Sequence, residues 1–150
     1  MKAEAVVEGI VRKLGASQRL AVLSTENLGQ PYSSLIAFAL GEDLKSLVFT
    51  TPRLTRKFSN LTANPHVSLL IDDRSNRRED FHEARAATIL GRAREVAGEE
   101  RESCLELFLG KHPYLSDFAR SPETTIFRVE IETYYVVDCF QAVSELHIRR

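Results

Sequence analysis

The sequence predicts a mainly β fold with added helices, in which six or more antiparallel strands form a closed or partly closed barrel. Short turns join the first three predicted strands, whereas parallel strands would need crossover connections of about a dozen residues or more. The predicted fifth strand, residues 84–96, is long for a chain of 150 residues and carries Gly91 in its middle. Such a strand bulges at the glycine and bends across two sheets or around a barrel. No GxGxxG motif accompanies these strands, so the pattern excludes a doubly wound parallel sheet.

The N-terminal part of the chain combines one helix with three strand patterns. Apolar residues at helical spacing predict a helix over residues 5–15, and the first strand pattern covers residues 19–25. A turn containing Gly29 leads into the second strand, residues 31–40. Both faces of this strand are largely apolar, so we expect it to lie centrally in the sheet. The third strand covers residues 46–52 and ends at a proline, which cannot donate to a neighbouring strand.

A short helix follows the third strand. Leu54, Phe58 and Leu61 fall at positions i, i+4 and i+7, which predicts one apolar stripe on a helix that begins near Leu54. Asn64-Pro65 ends the helix, because the residue before a proline is pushed out of the α region. Residues 67–71 then form a pattern that is typical of a buried strand.

The second half of the chain continues the strand pattern around one further helix. The sixth strand alternates cleanly, with Phe127, Val129 and Ile131 expected inside. The C-terminal tail is weakly specified. The elements predicted after the fourth strand are a charged surface loop (73–81), the fifth strand (84–96), a helix (99–109), an irregular segment (114–122) and a strand (125–135) that residues 136–140 either continue or follow with one more strand.

Composition and charge place the chain among globular proteins. Hydrophobic residues make up 43% and charged residues 27%, which excludes a disordered or membrane-embedded chain. The net charge of −1 argues against a dedicated nucleic-acid binder, which shows a basic excess. Glu4 and Glu8 interrupt the apolar pattern near the N-terminus, so no signal peptide is expected. We therefore expect a cytoplasmic protein of one domain, residues 1–150, that contacts neither membrane nor nucleic acid.

The cysteines and one histidine are expected to have structural roles. Cys104 and Cys139 have neither CxxC nor zinc-site spacing, and each lies in an apolar pattern, so both are expected to pack in the core. His112 directly follows the predicted helix and is expected as a cation at its C-terminus, where the helix dipole favours positive charge.

The start of the short helix breaks a local rule. Arg53, Arg56 and Lys57 lie beside its first turn, although a helix N-terminus is already positive and each exposed cation there is unfavourable by ~0.3–1 kcal/mol. A bound anion would compensate, because free amide groups, the Thr55 hydroxyl and the two cations at 56 and 57 together suit a phosphate. The alternative is a solvated helix end that is basic without binding anything.

The same stretch resembles a known family. The group Thr55-Arg56-Lys57, followed by Asn64-Pro65 and the strand Val67-Ser68-Leu69-Leu70, resembles the flavin-phosphate segment of the pyridoxamine 5′-phosphate oxidase-like FMN-binding split-barrel proteins. The resemblance covers about residues 19–140. It implies a split β-barrel that forms a homodimer, with two FMN molecules in the clefts between the subunits.

The resemblance also implies which residues bind the cofactor. The second strand would present its backbone edge to the isoalloxazine ring, the end of the third strand would lie along the flavin, and the helix start would hold the phosphate. A basic residue at the start of the fifth strand completes the set. The implied cofactor-binding residues are Ser33, Ser34, Leu35, Ile36, Thr50, Thr51, Thr55, Arg56, Lys57 and Arg85.

Several positions depart from true pyridoxamine 5′-phosphate oxidases. Those enzymes have an arginine where this chain has Ser34, a lysine where it has Ala39 and a glutamine where it has Ala86. Their C-terminal Arg/His segment grips the substrate phosphate, and residues 144–150 do not match it. A phosphorylated substrate needs its own cations, so vitamin B6 oxidation is not expected.

The overall pattern is more similar to the branch of FMN-binding or haem-utilisation proteins, which shares strings like PYSSLIAFAL. We therefore expect a small FMN-dependent oxidoreductase with a small-molecule redox substrate, in which the flavin supplies the redox chemistry and no side chain is assigned as catalytic. Some members of the branch degrade haem with a C-terminal histidine as iron ligand, which makes His147 the candidate here; otherwise it is a solvated residue. The alternatives are thus a haem-binding protein, a flavin carrier without turnover, and a deazaflavin in place of FMN; no other metal site is expected.

Overall fold

The computed structural model describes residues 2–139 and 142–150. The strands it describes all pair antiparallel. They are β1 (Leu20–Asn27), β2 (Gln30–Leu40), β3 (Ser46–Pro52), β4 (His66–Asp72), β5 (Ala86–Glu95), β6 (Thr124–Asp138) and β7 (Ala142–His147).

The strands close into a barrel. Their order in the sheet is β3-β2-β1-β4-β5-β6-β7, and an additional pairing of β3 with β6 joins the first six strands into a ring. The first part of β6 pairs with β3, from Thr124 to Glu130, whereas its second part pairs with β7, from Thr133 to Asp138. The predicted antiparallel barrel is therefore confirmed, and β7 extends the sheet beyond it.

Five α-helices and one 3₁₀ turn surround the barrel within the described residues. They are α1 (Glu4–Ser17), α2 (Arg56–Ala63), α3 (Asp80–Glu83), α4 (Gly98–Lys111), the 3₁₀ turn (Pro113–Leu115) and α5 (Ser116–Arg120). None of these helices is long and apolar enough to span a membrane. The segment 114–122, expected to be irregular, instead carries the 3₁₀ turn and α5, and the charged loop ends in α3.

The core consists of the barrel interior and a second cluster under α4. Val7, Ile10, Val11 and Leu14 of α1 pack against the inward-facing side chains of the strands. On the other side, the apolar stripe of α4, which includes Cys104, packs on the outside of β3 and β6. The core position expected for Cys104 is confirmed, whereas Cys139 is exposed just after β6, at a positive φ of 47° that ends the strand.

The strand β5 bulges where the sequence predicts it. The pairing of β5 with β6 shifts register between Leu90 and Gly91, because Leu90 pairs with Thr133 and Gly91 with Ile131. A Cβ atom added to Gly91 would collide with the carbonyl oxygen of Glu130 and lie 2.8 Å from a methyl group of Val129. Glycine is required there because the backbone of β6 approaches too closely for a side chain.

The predicted start of α2 is wrong by two residues. Thr55 has extended backbone angles and caps the helix, since its hydroxyl accepts a hydrogen bond from the Phe58 amide at 3.2 Å. Leu54 therefore lies outside the helix and is 99% exposed rather than part of an apolar stripe. Phe58 and Leu61 do pack on the barrel core. The Thr55 cap sets the first residue of α2, and the spacing of apolar residues alone does not reveal that position.

His112 is not the helix C-terminal cation that its position after α4 indicated. Its ring is buried, and Nε2 lies 2.7 Å from the carbonyl oxygen of Phe38 in β2. Burial lowers its pKa, with the charges of Lys111 and Arg19 acting in the same direction and the bond to Phe38 opposing them. The residue is therefore held in its neutral form.

Candidate functional site

A cleft opens where β2 and β3 separate. The two strands pair through Phe38, Ala39 and Leu40 of β2, and no pairing between them is described beyond the Phe38–Phe49 position. Strand β3 stays paired with β6 as far as Pro52, while β2 stays paired with β1 back to Gln30. The N-terminal half of β2 therefore presents an open backbone edge, whose N–H and C=O groups can accept a ligand's hydrogen bonds. The expectation of a central β2 holds for its C-terminal half alone.

The N-terminus of α2 lies at one end of this cleft. The Phe58 amide is capped by Thr55, whereas the amides of Arg56 and Lys57 have no acceptor within the described residues. Free amides at a helix start attract anions through both hydrogen bonding and the helix dipole.

Two of the three cations at this helix start are unpaired. Arg53 forms a salt bridge with Glu95, with 3.1 Å between Nη1 and Oε2. Arg56 and Lys57 form no salt bridge with any carboxylate in the described residues. Lys57 is half-buried, and this burial lowers its pKa. The unfavourable positive charge at the helix N-terminus is therefore balanced at Arg53, whereas no carboxylate in the described residues balances Arg56 or Lys57.

The hairpin of β1 and β2 is docked on α2. The Asn60 side chain donates to the Thr25 hydroxyl at 3.0 Å, in a buried position. The Glu26 carboxylate accepts hydrogen bonds from the Asn64 side chain at the end of α2 and from the Gly29 amide in the hairpin turn. These contacts fix the position of the helix start relative to β2.

A pocket of about 240 Å³ lies between this hairpin and α2. The Arg56 guanidinium lies 5.8 Å from the centre of the Tyr32 ring at its rim, within the range of a cation–π contact. The residues that line the pocket are Asn27, Gln30, Pro31, Tyr32, Arg56 and Asn60.

The hydroxyl groups near the cleft differ in their availability. The Thr51 and Thr55 hydroxyls lie 3.0 Å apart, and each lies 3.1 Å from the carbonyl oxygen of Pro52. Both hydroxyl groups thus already donate within the protein. The Thr55 hydroxyl also accepts from the Phe58 amide and so caps the helix. The Ser34 hydroxyl, by contrast, is buried with no hydrogen-bond partner in the described part of the chain. An orphaned polar atom of this kind is unfavourable unless a ligand or water satisfies it.

Nine of the ten predicted residues lie on β2, on β3 or at the start of α2, the elements that border the opening, and one lies elsewhere. Arg56 lines the pocket, whereas the side chains of Ile36, Thr50 and Thr51 are buried. Arg85 precedes β5, and its amide donates to Asp73 at 2.7 Å. In the pairing of β4 with β5, six residues, about 20 Å, separate the Asp72–Ala86 end, beside Arg85, from the His66 end, which follows the C-terminus of α2. Arg85 is not among the residues that line the pocket between the hairpin and α2.

His147, the candidate haem ligand, lies on β7. It is exposed, and Nδ1 lies 3.2 Å from the Thr133 hydroxyl while Nε2 lies 3.0 Å from Oε2 of Glu145. Both ring nitrogens are thus engaged, and Thr133, which pairs with His147, lies eight residues further along β6 than Thr125, which pairs with Thr51. Within one chain, His147 therefore lies outside the cleft.

A larger cleft lies elsewhere, between α1 and α4, with a volume of about 740 Å³. Its two cations are engaged, because Lys111 donates to the carbonyl oxygens of Gly15 and Gln18 at 2.8 and 2.6 Å and Arg12 donates to that of Glu42. Burial lowers the pKa of Lys111 to about 8. The larger cleft therefore lacks the free cations that the smaller one has.

The barrel wall carries an apolar patch, which we name the outer apolar face (Leu20, Val22, Leu35, Leu70 and Leu90). Register places Val22 between Leu35 and Leu70 on adjacent strands. Leu20 and Leu35 are 51% and 63% exposed. A contiguous patch of this kind is typical of a protein–protein interface.

Sequence reasoning missed Tyr32 and Asn60 as parts of the cleft. Tyr32 stands in an alternating strand pattern and Asn60 in a helix, and neither pattern distinguishes a cleft residue from a packing one. Each is recognisable through its partner on another element, Arg56 for Tyr32 and Thr25 for Asn60.

Comparison with known families and structures gives three kinds of result. The model of the family described as pyridoxamine 5′-phosphate oxidase matches residues 8–138. No curated protein matches. Among solved structures, a haem-binding protein from Mycobacterium smegmatis has a TM-score of 0.83 at 17% identity, covering 98% of this chain and 59% of that one. This chain thus spans about three fifths of the length of that protein.

Two further structures share the fold over most of their own length. The haem storage protein HutZ from Vibrio cholerae has a TM-score of 0.72 at 17% identity, covering 83% of this chain and 89% of that one. An FAD-binding protein from Mesorhizobium loti has a TM-score of 0.63 at 22% identity, with the same two coverages of 83% and 89%. At these identities the likeness is one of fold.

Proposed function

Since the chain belongs to the pyridoxamine 5′-phosphate oxidase family, we propose that it is an FMN-binding flavoprotein that acts as a small oxidoreductase. The observation that carries the proposal is the start of α2, where Arg56 and Lys57 form no salt bridge and lie beside two amides without a hydrogen-bond acceptor in the described residues. A phosphate group matches this arrangement in charge and in hydrogen-bonding capacity.

The cleft fits the rest of the cofactor as well. The open edge of β2 from Ser33 to Ile36 offers backbone donors and acceptors to the polar edge of a flavin ring, and the orphaned Ser34 hydroxyl offers one more. Strand β3 borders the opposite side of the opening through its backbone at Thr50 and Thr51, whose side chains are buried. Thr55 contributes by fixing the helix start through its cap.

When bound, FMN supplies the electron transfer, and the protein supplies binding, orientation and electrostatics. Arg56 and Lys57 neutralise the phosphate, and the strand edge sets the orientation of the ring. We assign no side chain as a catalytic acid or base. The substrate is a small redox-active molecule, and we exclude pyridoxamine 5′-phosphate from the proposal because Ser34 and Ala86 replace residues that act in true oxidases of that substrate.

We further propose that two chains complete each site. Arg85 lies beside the Asp72–Ala86 end of the β4–β5 ladder and does not line the pocket between the hairpin and α2, and in the proposed dimer it reaches the cofactor from the second subunit. The outer apolar face offers the surface on which such a subunit would pack. The functional unit is thus a homodimer with two clefts.

Haem binding is the second candidate function. Two structures with the same fold are of a haem-binding and a haem storage protein. In this chain the candidate ligand is His147, which would have to exchange its contacts with Thr133 and Glu145 for the iron. Haem titration of the protein and of His147→Ala tests this candidate, because equal haem binding by both would exclude His147 as the ligand.

The first test of the flavin proposal is the visible spectrum of the purified protein, followed by titration with FMN and with riboflavin. We expect oxidised-flavin bands or saturable quenching at one FMN per subunit, with riboflavin binding more weakly because it lacks the phosphate. A colourless protein that ignores FMN contradicts the proposal, and haem and a deazaflavin would then be titrated. A flavoprotein that no nicotinamide or small electron donor reduces is the carrier, not the oxidoreductase.

A further inference from the structure

Two contacts between the β1–β2 hairpin and α2 share one geometry. Register places Thr25 of β1 directly opposite Tyr32 of β2. On α2, Arg56 and Asn60 lie four residues apart and therefore on one helix face. Asn60 bonds to Thr25, and Arg56 lies over Tyr32. The hairpin thus meets the helix at two adjacent points, one buried and polar, the other at the cleft.

The second contact restrains an otherwise free side chain. Arg56 is exposed, and it forms no salt bridge within residues 2–139 and 142–150. A free arginine side chain loses much rotamer entropy when it closes on a ligand. The ring of Tyr32, held by the strand register, keeps the guanidinium at the pocket between the hairpin and α2 before any ligand arrives. Lys57, the neighbouring cation, has no described aromatic partner.

We propose that Tyr32 is a positioning residue that makes the cleft selective for phosphorylated over unphosphorylated flavin, by holding Arg56 at the phosphate position. The inference rests on the proposed function. Tyr32 is not proposed to contact the reacting atoms. The effect of Tyr32 passes through Arg56 and therefore depends on the phosphate of the ligand.

The test measures dissociation constants for FMN and riboflavin by flavin fluorescence quenching. The variants are Tyr32→Leu, which removes the aromatic face, and Tyr32→Phe, which keeps it. Both changes are repeated in an Arg56→Gln background and in a Lys57→Ala background. Tyr32 is 39% exposed, so neither change opens a core cavity, and circular dichroism checks that each variant is folded.

We expect Tyr32→Leu to weaken FMN binding about two- to fivefold, the fold-change that corresponds to an exposed cation–π contact. Riboflavin binding stays unchanged, and Tyr32→Phe behaves like the parent. The loss disappears in the Arg56→Gln background and persists in the Lys57→Ala background, because the coupling runs through Arg56 alone.

Other outcomes separate the two proposals. If Tyr32→Leu weakens FMN and riboflavin equally, or keeps its full effect in the Arg56→Gln background, Tyr32 acts on the ring or on the fold and the inference is overturned. If Arg56→Gln weakens FMN binding while Tyr32→Leu has no effect, this inference alone fails. If the parent protein binds neither flavin, the proposed function fails and this inference fails with it.

Discussion

His112 Nε2 lies 2.7 Å from the carbonyl oxygen of Phe38, and this contact fastens the end of α4 to barrel strand β2. A carbonyl oxygen can only accept, so Nε2 carries the ring proton and Nδ1 is the acceptor, 3.4 Å from the Tyr114 hydroxyl. The contact thus selects a neutral histidine of one tautomer. The strand it holds, β2, is the one whose other half borders the cleft.

We predict that this histidine makes the protein acid-sensitive. Burial lowers its pKa below the ordinary value of 6.5, so the folded protein binds fewer protons than the unfolded chain as the pH falls through that value. The contribution of His112 is therefore fully present above about pH 6.5 and is lost as the pH drops toward the folded-state pKa. Denaturant unfolding at about pH 7.5 and about pH 5.5 measures the loss. In His112→Gln, which cannot titrate, the loss should be smaller than in the parent; an equal loss in both would assign it to other groups.

Removal of both phosphate cations should abolish tight FMN binding without harming the fold. Charge-assisted hydrogen bonds contribute roughly 1.5–3 kcal/mol each, so Arg56→Ala with Lys57→Ala should weaken FMN binding by at least about a hundredfold. Thermal stability should be equal or slightly higher, because two cations leave a helix N-terminus. Lys13→Ala with Lys45→Ala removes the same charge far from the cleft and serves as the control. Unchanged FMN affinity in the cleft variant would show that Arg56 and Lys57 do not bind the phosphate.

A charge on the outer apolar face should separate the proposed dimer. Leu20 is 51% exposed and is not among the proposed cofactor residues, so Leu20→Asp places a carboxylate in the interface with little effect on the monomer. We expect sedimentation velocity to show a shift from dimer to monomer, with weaker FMN binding as a consequence. Val143→Asp, at 54% exposure on β7, is the matched control. A parent protein that is monomeric, or a Leu20→Asp variant that stays dimeric, would contradict this use of the face.

Gly91→Ala should destabilise the barrel itself. The added methyl group would collide with the backbone of β6 at Glu130, and overpacking of this kind costs about 1–3 kcal/mol. The melting temperature should fall by several degrees. Gly110→Ala is the control, because a Cβ atom there meets nothing within 4 Å and the residue lies in α4. Equal melting temperatures for Gly91→Ala and the parent would show that β6 can move aside.

The antiparallel barrel, the bulge at Gly91 and the basic start of α2 could all be predicted from the sequence. Each depends on local chemistry: strand alternation, a residue without a side chain, and a run of cations that violates a helix rule. The strand β7 escaped prediction because it depends on its pairing with β6 more than on its own pattern. For the same reason, the neutral state of His112 was missed: the carbonyl that fixes it belongs to a strand that lies 74 positions earlier in the chain.

The sequence by itself determined which residues have the chemistry to hold a phosphate, because charge and helix position are local properties. The tertiary structure decided which of them remain available. Pairing with Glu95 removes Arg53, and the hydrogen bonds of Thr51 and Thr55 engage their hydroxyl groups. The tertiary structure also places the Tyr32 ring of β2 beside Arg56. Whether a side chain is free to bind a ligand depends on neighbours that are distant in the chain, and their positions follow from strand register and closure of the barrel.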